Sequence, residues 1–222
     1  IQQKKLVICL KMKLKKPRFW DYKKPNILAL FLWPLTLISR FVSSIKKNNK
    51  IKYQNIKTIC VGNIYIGGTG KTSLAIKIKK ILDKENIKSC FIKKYYSDQI
   101  DEQKLLEQNG KTFIKKLRTE ALEQAISQNY KVAIFDDGLQ DNSIHYDSIF
   151  VCFNNLNWIG NGFLIPAGPL RQSLNSLKFY NNVVLNGNEE NVRDIKLQIK
   201  KINPYINIHE AKYSILNLDN LD

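Results

Sequence analysis

TICVGNIYIGGTGKTS, residues 58–73, places an apolar strand, a glycine-rich turn and a helical start in immediate succession. That order is what a phosphate-binding loop requires. Glycines let backbone N–H groups converge on phosphate oxygens, and the N-terminus of the new helix adds partial positive charge. Within Tyr65, Ile66, Gly67, Gly68, Thr69, Gly70, Lys71 and Thr72, the lysine can reach terminal phosphates and the Thr72 hydroxyl can meet Mg²⁺. The strict pattern G-x-x-x-x-G-K-[ST] asks for glycine where this chain has Tyr65, so Gly67 and Gly68 must supply the turn. A glycine-rich surface loop is the bland alternative, and the strand–turn–helix order argues against it.

The chain has 222 residues, enough to bury a substantial single core. Its hydrophobic share of 44% and charged share of 25% are those of an ordinary globular protein, but the formal net charge is +17. Such a balance favours polyanions: nucleic acid, anionic headgroups or phosphorylated substrates. A drift of composition toward Lys, Asn and Ile would give the same charge with no partner, and both readings stay open. Arginine occupies only five of the 36 cationic positions: 18, 40, 118, 171 and 193. Where planar, bidentate phosphate recognition is needed lysine substitutes poorly, which singles out the surviving arginines as site candidates. Nucleic-acid binding would need aromatics interleaved with basic residues on one face, and no such pattern is evident. Cys9, Cys60, Cys90 and Cys152 are far apart and form no C-x-x-C pair, which points to reduced thiols in a cytosolic compartment.

Residues 1–12 precede or include the only methionine, Met12, and read as an uncertain leader. Residues 13–52 form a basic and apolar region. Its centre, ILALFLWPLTLI from Ile27 to Ile38, would make about 18 Å of helix, short of the roughly 30 Å hydrocarbon core. Arg40, Lys46, Lys47, Lys50 and Lys52 follow it. An interfacial anchor around Ile27–Ser39, on the cytoplasmic face of a membrane, fits these flanks; a helix covering the sheet is the alternative.

From 53 to 205, strand-like and helical patterns alternate. Leu74, Ala75, Ile78, Ile81 and Leu82 predict one helical face, and Leu117, Ala121, Leu122 and Ala125 another. Ser89–Lys93, Val132–Phe135, Ser148–Phe153 and Asn181–Asn186 read as strands, Val192–Ile202 as a helix, and Lys94–Thr112 as polar with Asp98, Asp101 and Glu102 in or near a loop. Strands apolar along their length, alternating with helices, predict an α/β fold with a mostly parallel sheet flanked by helices, of the P-loop NTPase kind.

Asp136 and Asp137 end a buried strand, where a phosphate-loop protein needs a magnesium-organising carboxylate. Two solvated turn aspartates are the alternative for that pair alone. GNGFLIPAGPLRQ, residues 160–172, sets Arg171 in a loop stiffened by prolines, which would hold it for an anion or serve merely as a tight turn.

GNIYIGGTGKTS (62–73), DDGLQ (136–140), HYD (145–147) and GNGFLIPAGPLRQ (160–172) together resemble tetraacyldisaccharide 4′-kinase, the lipid A 4′-kinase of Gram-negative bacteria. The resemblance includes the family's own form of the loop, without glycine at the first strict position, and runs from about Phe19 to the C-terminus. It implies ATP on the 65–72 loop, with Lys71 on the β/γ-phosphates and Thr72, Asp136 and Asp137 near Mg²⁺. It also implies Asp101 of an Asp-Glu motif as base for a sugar hydroxyl, Arg118 and Arg171 at the site, and an acylated, phosphorylated glucosamine disaccharide as substrate. A membrane-associated N-terminal helix at the inner membrane is part of the family pattern; no obligate protein partner is evident.

The chain departs from that pattern in places. Lys93, Lys94, Tyr95, Tyr96 and Ser97 stand where the family has a Ser-Arg-Gly-Tyr-Gly segment, Asp98 rivals Asp101 as base, and Asp141 stands where a histidine is usual. Residues 206–222 read as the start of a linker to a second lobe that carries a histidine partner, matched by neither His145 nor His209. A catalytically impaired, nucleotide-binding membrane-associated fragment is therefore the alternative to an active kinase. A phosphate-loop GTPase ranks last, since nothing resembles an N-K-x-D signature.

Overall fold

The computed structural model describes residues 16–45, 50–97, 99–187 and 191–212, with side chains of 38–45 excepted. The leader, Lys46, Lys47, the rival carboxylate Asp98, Cys9 and residues 213–222 therefore lie outside the described residues, as does the Arg40 side chain. Seven strands form one parallel sheet: β1 (Lys57–Gly62), β2 (Ser89–Lys94), β3 (Thr112–Lys115), β4 (Val132–Asp136), β5 (Ser148–Asn154), β6 (Asn182–Asn186) and β7 (Asn207–Ala211). Their order across the sheet is β3-β2-β4-β1-β5-β6-β7. Parallel pairing forces each connection to cross over, and helices make four of the crossovers, α2 (Lys71–Lys84), α3 (Ile100–Asn109), α4 (Arg118–Ser127) and α5 (Val192–Ile202), while β5 and β6 are joined through a 3-10 helix, Leu174–Phe179, and β4 and β5 by a loop.

Each face has its own core. On one, Ala121, Leu122 and Ala125 of α4 and Ile195 and Ile199 of α5 join Phe135, Val151 and Val183. On the other, Ala75 of α2 and Leu106 of α3 pack with Val61, Phe91 and Ile134. The alternating fold expected from sequence is the fold observed. Cys60, Cys90 and Cys152 are buried free thiols, and burial pushes Cys90 and Cys152 up to about 12.

Four local expectations need correction. Helix α3 was not expected: Asp101 and Glu102, read as in or near a loop, stand in its first turn, and Gln103 and Leu106 give that polar segment a narrow buried side. The short strand β3, with Phe113 buried, was not expected at all. Ile81, assigned to the buried face of α2, is half exposed, and Leu117 is an exposed residue capping α4. Within residues 206–222, read as the start of a linker, Asn207–Ala211 pair with β6 along its length as the sheet's edge strand.

Helix α1 spans Ile27–Ile45, longer than the apolar stretch alone, with Pro34 inside it. Asn26 caps it, its side-chain oxygen accepting from the Ala29 N–H at 2.9 Å. Among the helix's described side chains, those of 27–37, only Ala29 and Thr36, seven residues apart on one stripe, are buried, while Ile27 and Phe31 are 86% and 81% exposed. No helix among the described residues is long and apolar enough to cross a membrane.

The start of β5 is fastened to β1 by Asp147. Its carboxylate accepts from the Thr58 N–H and the Thr58 hydroxyl, both at 2.9 Å, with Lys57 at 3.5 Å. Burial alone would raise this carboxyl, but the Thr58 hydrogen bonds and Lys57 hold it below its ordinary value. A depressed pKa contributes stability above the unfolded-state value and loses it as pH falls through the folded-state value. Asp147→Asn is expected to cost about 1–2 kcal/mol at pH 7 in urea unfolding, the deficit shrinking below pH ~4 as the wild-type carboxylate protonates. A deficit unchanged at low pH would refute the charged-acceptor account.

Candidate functional site

The register of the sheet sets the site. Val61 of β1 lies beside Asp136 of β4, so the glycine-rich loop leaving β1 and the aspartate pair ending β4 emerge together at the carboxyl edge. Gly70, with φ 79°, closes the loop in a conformation that suits glycine and begins α2 at Lys71. Lys71 and Thr72 thus occupy the first turn of a helix whose unpaired N–H groups face the loop.

Asp136 and Asp137 part company. Asp136 is wholly buried; its Oδ2 accepts from the Thr72 hydroxyl at 3.2 Å and from the Lys93 ammonium at 2.6 Å. Its Oδ1 is buried with no hydrogen-bond partner among the described residues. Asp137 turns instead to Lys71, at 3.6 Å, and to the Arg171 guanidinium, at 3.3 Å. Burial alone would push Asp137 up, but Lys71, Arg171 and Arg118 hold it below the usual carboxylate range. Thr72 thus meets Asp136, whereas Asp137 meets Lys71 and Arg171.

Arg118 is nearly buried at the head of α4. It donates to the Asp137 carbonyl at 2.7 Å and to the Asp141 carboxylate at 3.2 Å, so it clamps the turn after β4. Arg171 also donates to Gln140 Oε1 at 3.2 Å, and its backbone N–H reaches the Ile64 carbonyl at 2.7 Å. Gln140 in turn donates to the Asn63 carbonyl at 2.8 Å, and Asn63 donates to Thr69 Oγ1 at 3.1 Å inside the loop. Asn186, at the end of β6, donates to the Thr69 carbonyl at 2.5 Å. The four sequence segments are therefore one hydrogen-bonded cluster.

Tyr65 does not face that cluster with its hydroxyl. The ring is buried, and the hydroxyl donates to Asp21 Oδ1 at 2.5 Å, with Lys16 beside both. Burial and Asp21 push the phenol's pKa up. Asp21 ends a 3-10 helix, Arg18–Asp21, whose Trp20 indole donates to the Pro166 carbonyl at 3.1 Å and whose Trp20 carbonyl accepts from the Asn161 N–H at 3.0 Å. The segment before α1 is thereby attached to both the glycine loop and the 160–171 loop.

Asp101 is exposed on α3 and makes no hydrogen bond or ion pair among the described residues, nor does it line the adjoining cleft. Glu102 joins the site instead, through Lys93 at 2.6 Å. Burial would lower the Lys93 pKa, but Asp136 and Glu102 outweigh it and hold it above the ordinary lysine value. Sequence reasoning missed Lys93 as a site residue; its place directly after the apolar run Cys90–Ile92 was the available signal. The cleft itself is about 1010 Å³, and Lys94, Lys116, Arg118 and Arg171 set four cations around Asp137 and Gln140.

The chain is similar to known proteins along most of its length. The family model for LpxK, tetraacyldisaccharide-1-P 4′-kinase, matches residues 28–111 and 98–220. A tetraacyldisaccharide 4′-kinase of Pelagibacter ubique (strain HTCC1062) is 61% identical over 211 residues, which are 95% of this chain and 67% of the relative. That of Rickettsia canadensis (strain McKiel) is 32% identical over 228 residues, covering 95% of this chain and 68% of the relative. The crystal structure of LpxK from Aquifex aeolicus in complex with ATP has a TM-score of 0.60 at 20% identity, covering 72% of this chain and 59% of that one. At that identity the likeness is one of fold.

Side chains packed against the turn after β4 crowd the space beside Gly138. A Cβ there would lie 2.7 Å from the Tyr146 hydroxyl and 3.1 Å from Phe135 Cβ. Gly138→Ala is expected to destabilise the chain by about 1–3 kcal/mol, read from urea midpoints. In a Tyr146→Phe background the cost should fall, since the nearest clash is gone; equal cost in both backgrounds would refute the contact.

Proposed function

The chain belongs to the tetraacyldisaccharide 4′-kinase family, and on that premise we propose that it binds ATP at residues 65–72 for phosphoryl transfer to the 4′-hydroxyl of tetraacyldisaccharide 1-phosphate, a step of lipid A biosynthesis. The observation that carries this reading is the convergence of Lys71, Thr72, Asp136 and Arg171 at the carboxyl ends of β1 and β4. Phosphoryl transfer asks mainly for positioning and for compensation of charge on the moving group. Lys71 stands at the helix start where terminal phosphates would lie, and the N–H groups around it supply further donors. Asp137 restrains Lys71 and Arg171 until an anion competes for them.

The residues present fit magnesium. Thr72 and Asp136 would hold it, since the hydroxyl and carboxylate already meet and Asp136 Oδ1 has no other partner. When bound with ATP, the ion neutralises charge on the phosphates.

The cleft beside Asp137 suits a phosphorylated sugar, since four cations surround it. Asp101 is the proposed proton acceptor for the sugar hydroxyl, carried on the exposed first turn of α3. An acylated substrate resides in a bilayer, and the exposed apolar side of α1 would bring the site to the cytoplasmic surface of the inner membrane. Because the chain spans about two thirds of its relatives' length, a second reading is nucleotide binding without turnover.

Lys71→Ala is expected to weaken ATP binding by about tenfold or more in titration calorimetry while leaving the melting temperature in place; unchanged affinity would sink the loop assignment. Assaying the 222-residue chain with ATP and tetraacyldisaccharide 1-phosphate separates the two readings, since binding without transfer selects the second. Removing Ile27–Ser39 should abolish flotation with anionic liposomes; a shortened chain that still floats would refute the anchor.

A further inference from the structure

Lys93 opens the segment where the sequence departs from the family pattern. It is 1% exposed on β2, a strand held between β3 and β4 with Ile92 beside Phe135. Burying an ammonium is costly unless carboxylates surround it. Lys93 has two, each at 2.6 Å: Asp136 Oδ2 from β4 and Glu102 Oε2 from α3. Asp136 lies wholly inside, while the Glu102 side chain is 51% exposed, so the ammonium reaches from the interior to the rim of α3. The Thr72 hydroxyl shares the same Asp136 oxygen, leaving Oδ1 as the carboxylate's unengaged atom.

We propose that Lys93 is a positioning residue, a resident cation that fixes the Asp136 carboxylate with Oδ1 unengaged and ties the first turn of α3 to it. The tie has a direct consequence for Asp101, which precedes Glu102 on that turn and makes no bond of its own. Its place relative to the phosphate loop is set by its neighbour's ion pair. The cation also has a consequence for charge. An ammonium against Asp136 offsets part of the negative potential that a divalent ion would meet there, so Lys93 moderates as well as orients. An ordinary buried ion pair would support stability alone and leave both of these properties unmoved.

The metal part rests on the reading of Thr72 and Asp136 given above; the α3 part does not. Two variants separate them. Glu102→Met keeps the Lys93–Asp136 pair and removes only the tie to α3. In metal-free protein, amides of Lys104 to Leu106 should then exchange hydrogen about tenfold faster while β4 amides keep their protection. Lys93→Met removes the ammonium, and the Mg²⁺ concentration that half-saturates ATP binding should fall about threefold or more. Unchanged α3 exchange in Glu102→Met overturns the proposal, as does an unchanged Mg²⁺ requirement in folded Lys93→Met. If Lys93→Met does not fold, the exchange measurement decides alone. Wild-type ATP binding indifferent to Mg²⁺ would defeat the metal reading, and the exchange measurement would still decide the role of Lys93.

Discussion

A carboxylate with no contact with water governs this structure. Asp136 ends β4, an inner strand of the sheet, and its charge must be met from within. Lys93 on the neighbouring strand and Thr72 at the head of α2 meet it, so β2, β4 and the phosphate loop are fixed against one another around one side chain. The demand reaches further because Lys93 also takes Glu102, which sets α3 over the sheet edge. What looks like stabilisation is equally specification: each element that answers the buried charge is brought to the same edge.

The fold was legible where hydrophobic periodicity is strong. Val132–Phe135 and Ser148–Phe153 are apolar along their length, and the strand–glycine–helix order at 58–73 placed the loop correctly. It was illegible where burial is thin. Thr112–Lys115 buries Phe113 alone, and α3 buries only Gln103 and Leu106, so neither leaves a period that a reader can count. The site divides likewise. Lys71, Thr72, Asp136 and Arg171 stand in motifs, whereas Lys93 was one lysine among many in a chain whose cations are mostly lysine. Identity gave no hint of burial there; only the strand beneath it did.

Arg118 and Arg171 were singled out by scarcity, and both meet the Asp137 turn, Arg118 at its carbonyl and Arg171 at its carboxylate. Their work is unequal. Arg118 is consumed by the carbonyl and by Asp141, which explains why aspartate at 141 suits this chain: it completes a clamp. Arg171 is partly exposed at the cleft and shares its guanidinium with Gln140. One arginine therefore shapes the turn, and the other is better placed to exchange its carboxylate for an incoming anion.

The strand order has a consequence in time. β1 pairs with β4 and β5, so Lys57 waits for Val132 and Ile59 for Ser148. Contacts so distant along the chain form late and slowly, and synthesis proceeds from the N-terminus. α1 is complete within the first 45 residues, long before the phosphate loop has the neighbours that shape it. Whatever surface α1 engages is thus offered to the nascent chain before any nucleotide can be. The Tyr65–Asp21 bond joins the two only at the end, when the late-made sheet closes onto the segment that emerged first.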